Sequence, residues 1–458
     1  MITLVRVAPL LAVLVALTPA PAPASQEQAA PSPVAGSAAD TAAPVRLTLA
    51  EALERAAATA PRLATLAARE QAAVALVDEA TAQRGPESFL TAYATRLSSV
   101  PELTLALPGQ PPRTIFPSIE NNLGARIGVT QPIYSGGRIP AQIDAAKNER
   151  EGTAHDRRAA AHDIALETAA AYWGLVTARE FEVVLAESIA VYEAHLKDTE
   201  NMLRFGMVAE SDLLNVRVQR DRAVLDRLQA SAAAETAEAN LARLVGLPPG
   251  TRIEAVEPLG APSAEPPARD ALIAAALAAR PERAALLSRI EVLRAAVRAE
   301  EAARRPQVYA HGGYDYARPN REILPFAEEW NGTWDVSLGL AFRVFDNGRV
   351  SAAVARRHAQ LAAEEQRLRE LDDAITLEVI ARRIDLETAR AAVPVSESAV
   401  AAAKESRRSS GEQYRAGVIS STDLLAVENA ALRAGLERTA ALAQVRLSSA
   451  RLDRATGR

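Results

Sequence analysis

The chain contains five histidines, His155, His162, His195, His311 and His358, and no cysteine. Only His155 and His162 could share a helix face. An i, i+7 pair spans two turns, too far apart to hold one metal ion without further ligands. No thiol is available as a nucleophile, and neither a glycine-rich phosphate loop nor a GxSxG pattern occurs. Acid pairs such as Asp372 and Asp373 fit a solvated helix face. Catalysis, a resident metal and a cofactor are therefore not expected.

Two other acids have a more informative place. Asp212 lies in GMVAESDLL, Gly206 to Leu214, and Asp423 in GVISSTDLL, Gly417 to Leu425. A glycine turn followed closely by an acid can begin a helix, and Ser420-Ser-Thr-Asp423 has the spacing of a capping box, in which the acid also complements the helix dipole. The same carboxylates, repeated by symmetry around a pore, would make rings of negative charge. Both roles can hold for one residue.

The interval between these segments recurs. QPIYSGGR ends at Arg138 and FRVFDNGR at Arg349, again 211 residues apart (349 − 138). The chain therefore holds two copies of one unit. Each copy opens with a helix: Thr48-Leu-Ala-Glu51 is a capping box, and Pro61 and Pro281 predict matching kinks. Period two follows. In Thr333 to Phe345, Trp334, Val336, Leu338, Leu340, Phe342 and Val344 alternate with polar or small residues, and Leu123, Ala125, Ile127 and Val129 alternate with Gly124, Arg126, Gly128 and Thr130. Weaker partner strands precede each, at Phe89 to Leu97 and Gln307 to Tyr316, so each copy offers one hairpin. The first copy's connection, Val100 to Glu120, carries five prolines and reads as an exposed loop.

After Arg138 and Arg349 come roughly 65 residues of helical pattern, a rod of about 100 Å. Val354, Leu361, Leu368 and Ile375 recur every seventh residue, as do Val218, Leu225, Ala232 and Ala239 on the returning helix, and such seams ask for partner helices. The expected organisation is a signal peptide at 1–24, an Ala/Pro-rich flexible lead at 25–47, and a first repeat at 48–247. That repeat comprises a helix, a β-hairpin at 88–134 and a long helical hairpin at 138–247. A linker at 248–267 leads to a second repeat at 268–458, with a β-hairpin at 306–345 and a helical hairpin at 349–456.

The amino-terminal pattern is that of an exported chain: Arg6, the apolar run Val7 to Leu17, then small residues and prolines with cleavage expected near Ala22 or Ala24. With no cysteine, a lipid anchor on that residue is not expected. Apolar residues make up 49% but aromatics only 4%, a composition that suits long alanine-rich helices better than a thick core. The net charge of −5 gives no reason to expect nucleic acid as a partner.

A half-buried sheet on a soluble core would also alternate. The 11 steps from Trp334 to Phe345, however, make about 36 Å of strand and about 25 Å of height at a ~45° tilt. Aromatics bracket it, with Trp330 and Trp334 at one rim and Phe342, Phe345 and Tyr134 at the other. Four strands cannot close a barrel and lipid does not tolerate open edges, so several chains would have to share one. Gly136, Gly137 and Arg138, with Asn347, Gly348 and Arg349, would be the strand-to-helix joints.

The repeat, these joints, and the segments RFGMVAESDLLNV and YRAGVISSTDLLAVENA together resemble the TolC-like outer-membrane efflux proteins over essentially everything after the lead. The resemblance implies long antiparallel helical hairpins forming a coiled-coil tunnel in the periplasm. It also implies a homotrimer whose four strands per chain contribute to a 12-stranded β-barrel in the outer membrane. It implies a periplasmic adaptor and an inner-membrane pump as partners. Gly206, Met207, Val208 and Ala209, with Gly417, Val418, Ile419 and Ser420, would be the adaptor-docking tips, and Asp212 and Asp423 would line the constriction. Asn215 and Ala426 stand where a further acid would be expected, and Ile419 where a gating arginine would be, which puts the usual salt-bridged constriction in doubt. The function so implied is passive conduction of small molecules such as drugs, toxic compounds or metal ions. The alternatives are an exit duct for type I protein secretion and a non-channel coiled-coil scaffold.

Overall fold

The computed structural model describes residues 44–106, 108–109, 111–260 and 265–458. The expected signal segment, the lead up to residue 43 and residues 261–264 of the linker lie outside the described residues.

Strand β1 (Val45–Leu47) leads into α1 (Leu49–Thr59), whose capping box closes through Glu51 N–H to Thr48 Oγ1 at 3.2 Å and Thr48 N–H to Glu51 Oε2 at 2.9 Å. At Pro61 the chain breaks rather than kinks. Ala60 is extended, with ψ at 116°, and a second helix, α2 (Pro61–Ala82), starts on the proline. The residue before proline is excluded from the helical region by its clash with the ring, which explains the break. The second repeat does the same: Arg280 is extended, with ψ at 122°, between α5 (Arg269–Ala279) and α6 (Pro281–Glu301).

Strands β2 (Glu87–Arg96), β5 (Asn121–Tyr134), β7 (Gln307–Arg318) and β8 (Asn331–Ala341) form one antiparallel sheet in the order β2-β5-β7-β8. The two repeats therefore meet at its centre, where Arg126 stands opposite Asp315 and Gly128 opposite Gly313. Between β2 and β5 the proline-rich connection folds into a small hairpin of its own, β3 (Leu103–Leu105) with β4 (Arg113–Phe116). The last strand is shorter than its alternation predicts. Ala341 pairs with Gln307, the first residue of β7, and beyond it no partner strand continues, so Phe342 to Phe345 leave the ladder as exposed chain.

Two 67-residue helices, α3 (Arg138–Arg204) and α7 (Arg349–Arg415), run about 100 Å each. Each returns through a 35-residue helix, α4 (Glu210–Leu244) and α8 (Ser421–Ala455). On the side toward the sheet, α2 and α6 take the places that α4 and α8 occupy toward the turns. Packing gives the order α4-α3-α8-α7 in one half and α2-α3-α6-α7 in the other. The main core lies where these sets meet, around Tyr172, Leu241, Ile375 and Val445, closed by β1 and the parallel β6 (Ile253–Ala255). Among the described residues no helix is long and apolar enough to cross a membrane.

One expected seam faces elsewhere. On α4 the residues that pack inward are Val216, Ala223, Ala234 and Leu241, whereas Val218 and Leu225 are each 60% exposed. The heptad stripe on α4 therefore lies on the outer edge of the helical layer. At the other edge, about 35 Å farther from the turns, α7 exposes Leu377 at 68% and Ile384 at 55%.

Candidate functional site

The sheet has two unlike faces. Because side chains alternate along a strand, Ile127, Val129, Trp334, Val336, Leu338 and Leu340 project together, and Val336 is 76% exposed. The opposite face carries Thr91, Arg126, Asp315 and Thr333 in one register row, and Thr130, His311 and Ser337 in another. Phe89, Tyr93 and Tyr309 lie flat on this face, over Gly128, Gly124 and Gly339. An apolar outer belt and a polar inner wall are what a lipid-embedded barrel segment needs.

The joints below the sheet are built alike. Gly136 and Gly137 have φ of 69° and 96°, and Asn347 and Gly348 have 53° and 79°. At Gly136 space matters as well as φ, since a Cβ would sit 2.7 Å from Ala302 O. The first helical N–H groups are met by side chains that the sequence reading passed over. Ser135 Oγ accepts from Ile139 N–H at 3.2 Å, and Asp346 accepts from Val350 N–H at 2.9 Å and Gly348 N–H at 3.0 Å. The Val350 amide, with help from that of Gly348, holds the Asp346 carboxyl below its ordinary range. A signal for them existed, since both are capping residue types at the same repeat position (135 + 211 = 346). Arg138 reaches Gln142 at 3.4 Å, and Arg349 N–H closes the turn on Asp346 O at 3.1 Å.

At the far end both helical hairpins turn by the same geometry. Gly206 N–H bonds Leu203 O and Met207 N–H bonds Met202 O, while Gly417 and Val418 do the same to Tyr414 and Gln413. These are Schellman motifs with a left-handed glycine, φ 69° and 73°. Met207 and Val418 are exposed, as are Ala209 and Ser420, while Val208 and Ile419 are half-buried. Asp212 and Asp423 both serve as caps. Asp212 Oδ2 accepts from Ala209 N–H at 3.3 Å. Asp423 Oδ2 accepts from the Ser420 hydroxyl at 2.7 Å and the Ser420 amide at 3.1 Å, which hold its carboxyl below the ordinary aspartate range. Asn215 and Ala426 are exposed nearby.

Behind the tips lies a buried polar network. His195 of α3 joins Glu428 of α8 through Nδ1 at 2.9 Å and Ser421 Oγ through Nε2 at 3.2 Å. Tyr414 of α7 packs edge-on against the His195 ring and shares a hydrogen bond of 2.8 Å with Thr199. Its members come from three helices and more than 200 residues apart, so no local motif announces them. Among the described residues no group of three His, Asp or Glu side chains could hold a metal ion.

This architecture is that of an outer-membrane efflux channel. Residues 52–247 and 272–458 match the outer membrane efflux protein family, and the chain belongs to that family. It is similar to the outer membrane efflux protein BepC of Brucella suis biovar 1 (strain 1330), with 22% identity over 72% of this chain and 71% of that one. The fold is similar to those of the outer membrane protein VceC of Vibrio cholerae (18% identity, TM-score 0.73, 89% and 96% of the two chains) and the MtrE outer membrane channel of Neisseria gonorrhoeae (18%, 0.73, 89% and 88%). The protein is thus an outer-membrane member of a channel family, with the repeated helical tunnel and β domain of that fold.

Proposed function

We propose that three copies close head to tail into one duct, which passes small molecules outward from an inner-membrane pump and a periplasmic adaptor. The observation that carries this reading is the position of the unpartnered edges. β2, α2 and α4 end the sheet and the helical layer on one side, and β8 and α7 end them on the other. Both edge helices leave apolar side chains uncovered, Val218 and Leu225 on α4 near the tip and Leu377 and Ile384 on α7 farther toward the sheet. Two unlike edges on one chain can be joined by rotation into a ring, and a closed ring leaves no strand edge in lipid. With four strands per chain, three chains supply 12, an even number within the known range.

The tips are the proposed adaptor surface, because both turns present small or apolar residues on a backbone fixed by the same pair of hydrogen bonds. Asp212 and Asp423 form the proposed constriction, held by capping bonds rather than by salt bridges. Replacing Ala209 and Ser420 together with Arg is expected to abolish efflux, read as lost drug resistance, while heat-sensitive trimers persist in the outer membrane. Normal resistance in that double variant would overturn docking at the tips.

A further inference from the structure

On the polar face of the sheet, charge is concentrated in one place. Apart from Glu87, at the first position of β2, the ionised side chains on this face are Arg126, Asp315 and Asp335. Arg126 of β5 pairs with Asp315 of the neighbouring β7 at 3.7 Å and reaches across β7 to bond Asp335 of β8. Gly313 makes the crossing possible, since a Cβ there would lie 2.7 Å from Arg126 Nη2. His311 completes the cluster, with Nε2 3.4 Å from Arg126 Nη2 and Nδ1 3.2 Å from Thr130 Oγ1. One guanidinium against two carboxylates leaves one net negative charge per chain. All three groups keep between about a quarter and two fifths of their surface open, so the charge is presented to the polar side rather than sealed in the wall.

We propose that this cluster is a selectivity ring in the barrel, distinct from the acids at the tips, which favours cationic small molecules over anionic ones. The inference rests on the trimeric-duct reading, in which three copies place the same excess charge at one height of the lumen. The flat aromatics over glycine leave the wall around it smooth and uncharged, so the ring is the dominant field in that stretch. Charges at a wall act over a Debye length, about 10 Å at 0.1 M salt and about 30 Å at 0.01 M. The preference is therefore strongest in dilute salt.

The same residues could serve only as a staple between the two repeats, and charge-changing variants separate the roles. Purified trimers in planar bilayers are measured for reversal potential under a dilute KCl gradient. Asp335→Asn cancels the net charge and should move the potential toward zero. Arg126→Gln doubles the net charge and should move it away from zero. The double variant Arg126→Gln with Asp335→Asn restores one net negative charge without the ion pair and should return the potential to that of the parent. A structural staple predicts instead that both single variants shift the same way, or not at all, and that the double variant is the worst of the three; either outcome overturns the ring. Folded trimers that conduct nothing would overturn the duct itself, and the ring with it.

Discussion

Loss of the Glu428 carboxylate alone should loosen the tip of the second helical hairpin far more than removal of Glu428 together with the groups that bond through His195. The side chains of His195 and Glu428 are 1% and 5% exposed, and their 2.9 Å bond joins α3 to α8. Glu428→Ala removes the acceptor and strands a buried ring nitrogen. A hydrogen bond to a charged group contributes about 1.5–3 kcal/mol, and the orphaned donor carries its own desolvation cost, so about 3 kcal/mol of local stability should be lost. At 1.4 kcal/mol per tenfold, amides around the Gly417 turn should exchange with deuterium roughly a hundredfold faster. Replacing His195 and Glu428 together with leucine, in a Ser421→Ala background so that no buried hydroxyl loses its partner, removes donor and acceptor together and should cost much less, giving a large coupling in the double-mutant cycle. Unchanged exchange in Glu428→Ala, or a double variant as labile as the single one, would refute the reasoning.

Val218→Lys with Leu225→Lys puts two charges on the stripe that α4 offers to a neighbouring chain. Each lost side chain forfeits about 1.5–3 kcal/mol of burial, and trimers should dissociate at clearly lower temperature in a gel-shift series. Gly136→Val forces a branched side chain into left-handed backbone, at a cost of roughly 1–2 kcal/mol, with a Cβ against Ala302 O, and should reduce the yield of heat-sensitive trimers in the outer membrane. Asp423→Ala should reduce the cation preference of the open channel, and unchanged reversal potentials would count against a pore-facing role. Because the Ser420 hydroxyl and amide depress the Asp423 pKa, its capping contribution is present above the ordinary aspartate value near 3.9 and is lost as pH falls through the lower folded value. Cation preference from this site should therefore outlast the ordinary aspartate range on acidification.

The parts of the fold visible in the sequence are those whose signal is periodic or repeated. The 211-residue interval exposed two units, period two marked the strands, and the glycine of each tip marked a helix end that the structure closes as a Schellman motif. The parts that were hidden depend on neighbours. A heptad at Val218 and Leu225 says that a helix has an apolar stripe, but not whether α3 or another chain covers it. Alternation through Phe345 says that the chain could continue as a strand, but Gln307 is where its partner begins. The Arg126 cluster needed the β5-β7 register before its four charged or titratable members, drawn from three strands, could be seen as one group.

Trimeric closure is tested most directly by imaging the detergent-extracted protein by electron cryomicroscopy. The account predicts a three-fold particle in which β8 of each chain pairs with β2 of the next, and the α4 stripe of one chain meets α7 of its neighbour. A monomer, a ring of another order, or three chains with β2 and β8 left unpaired would contradict it.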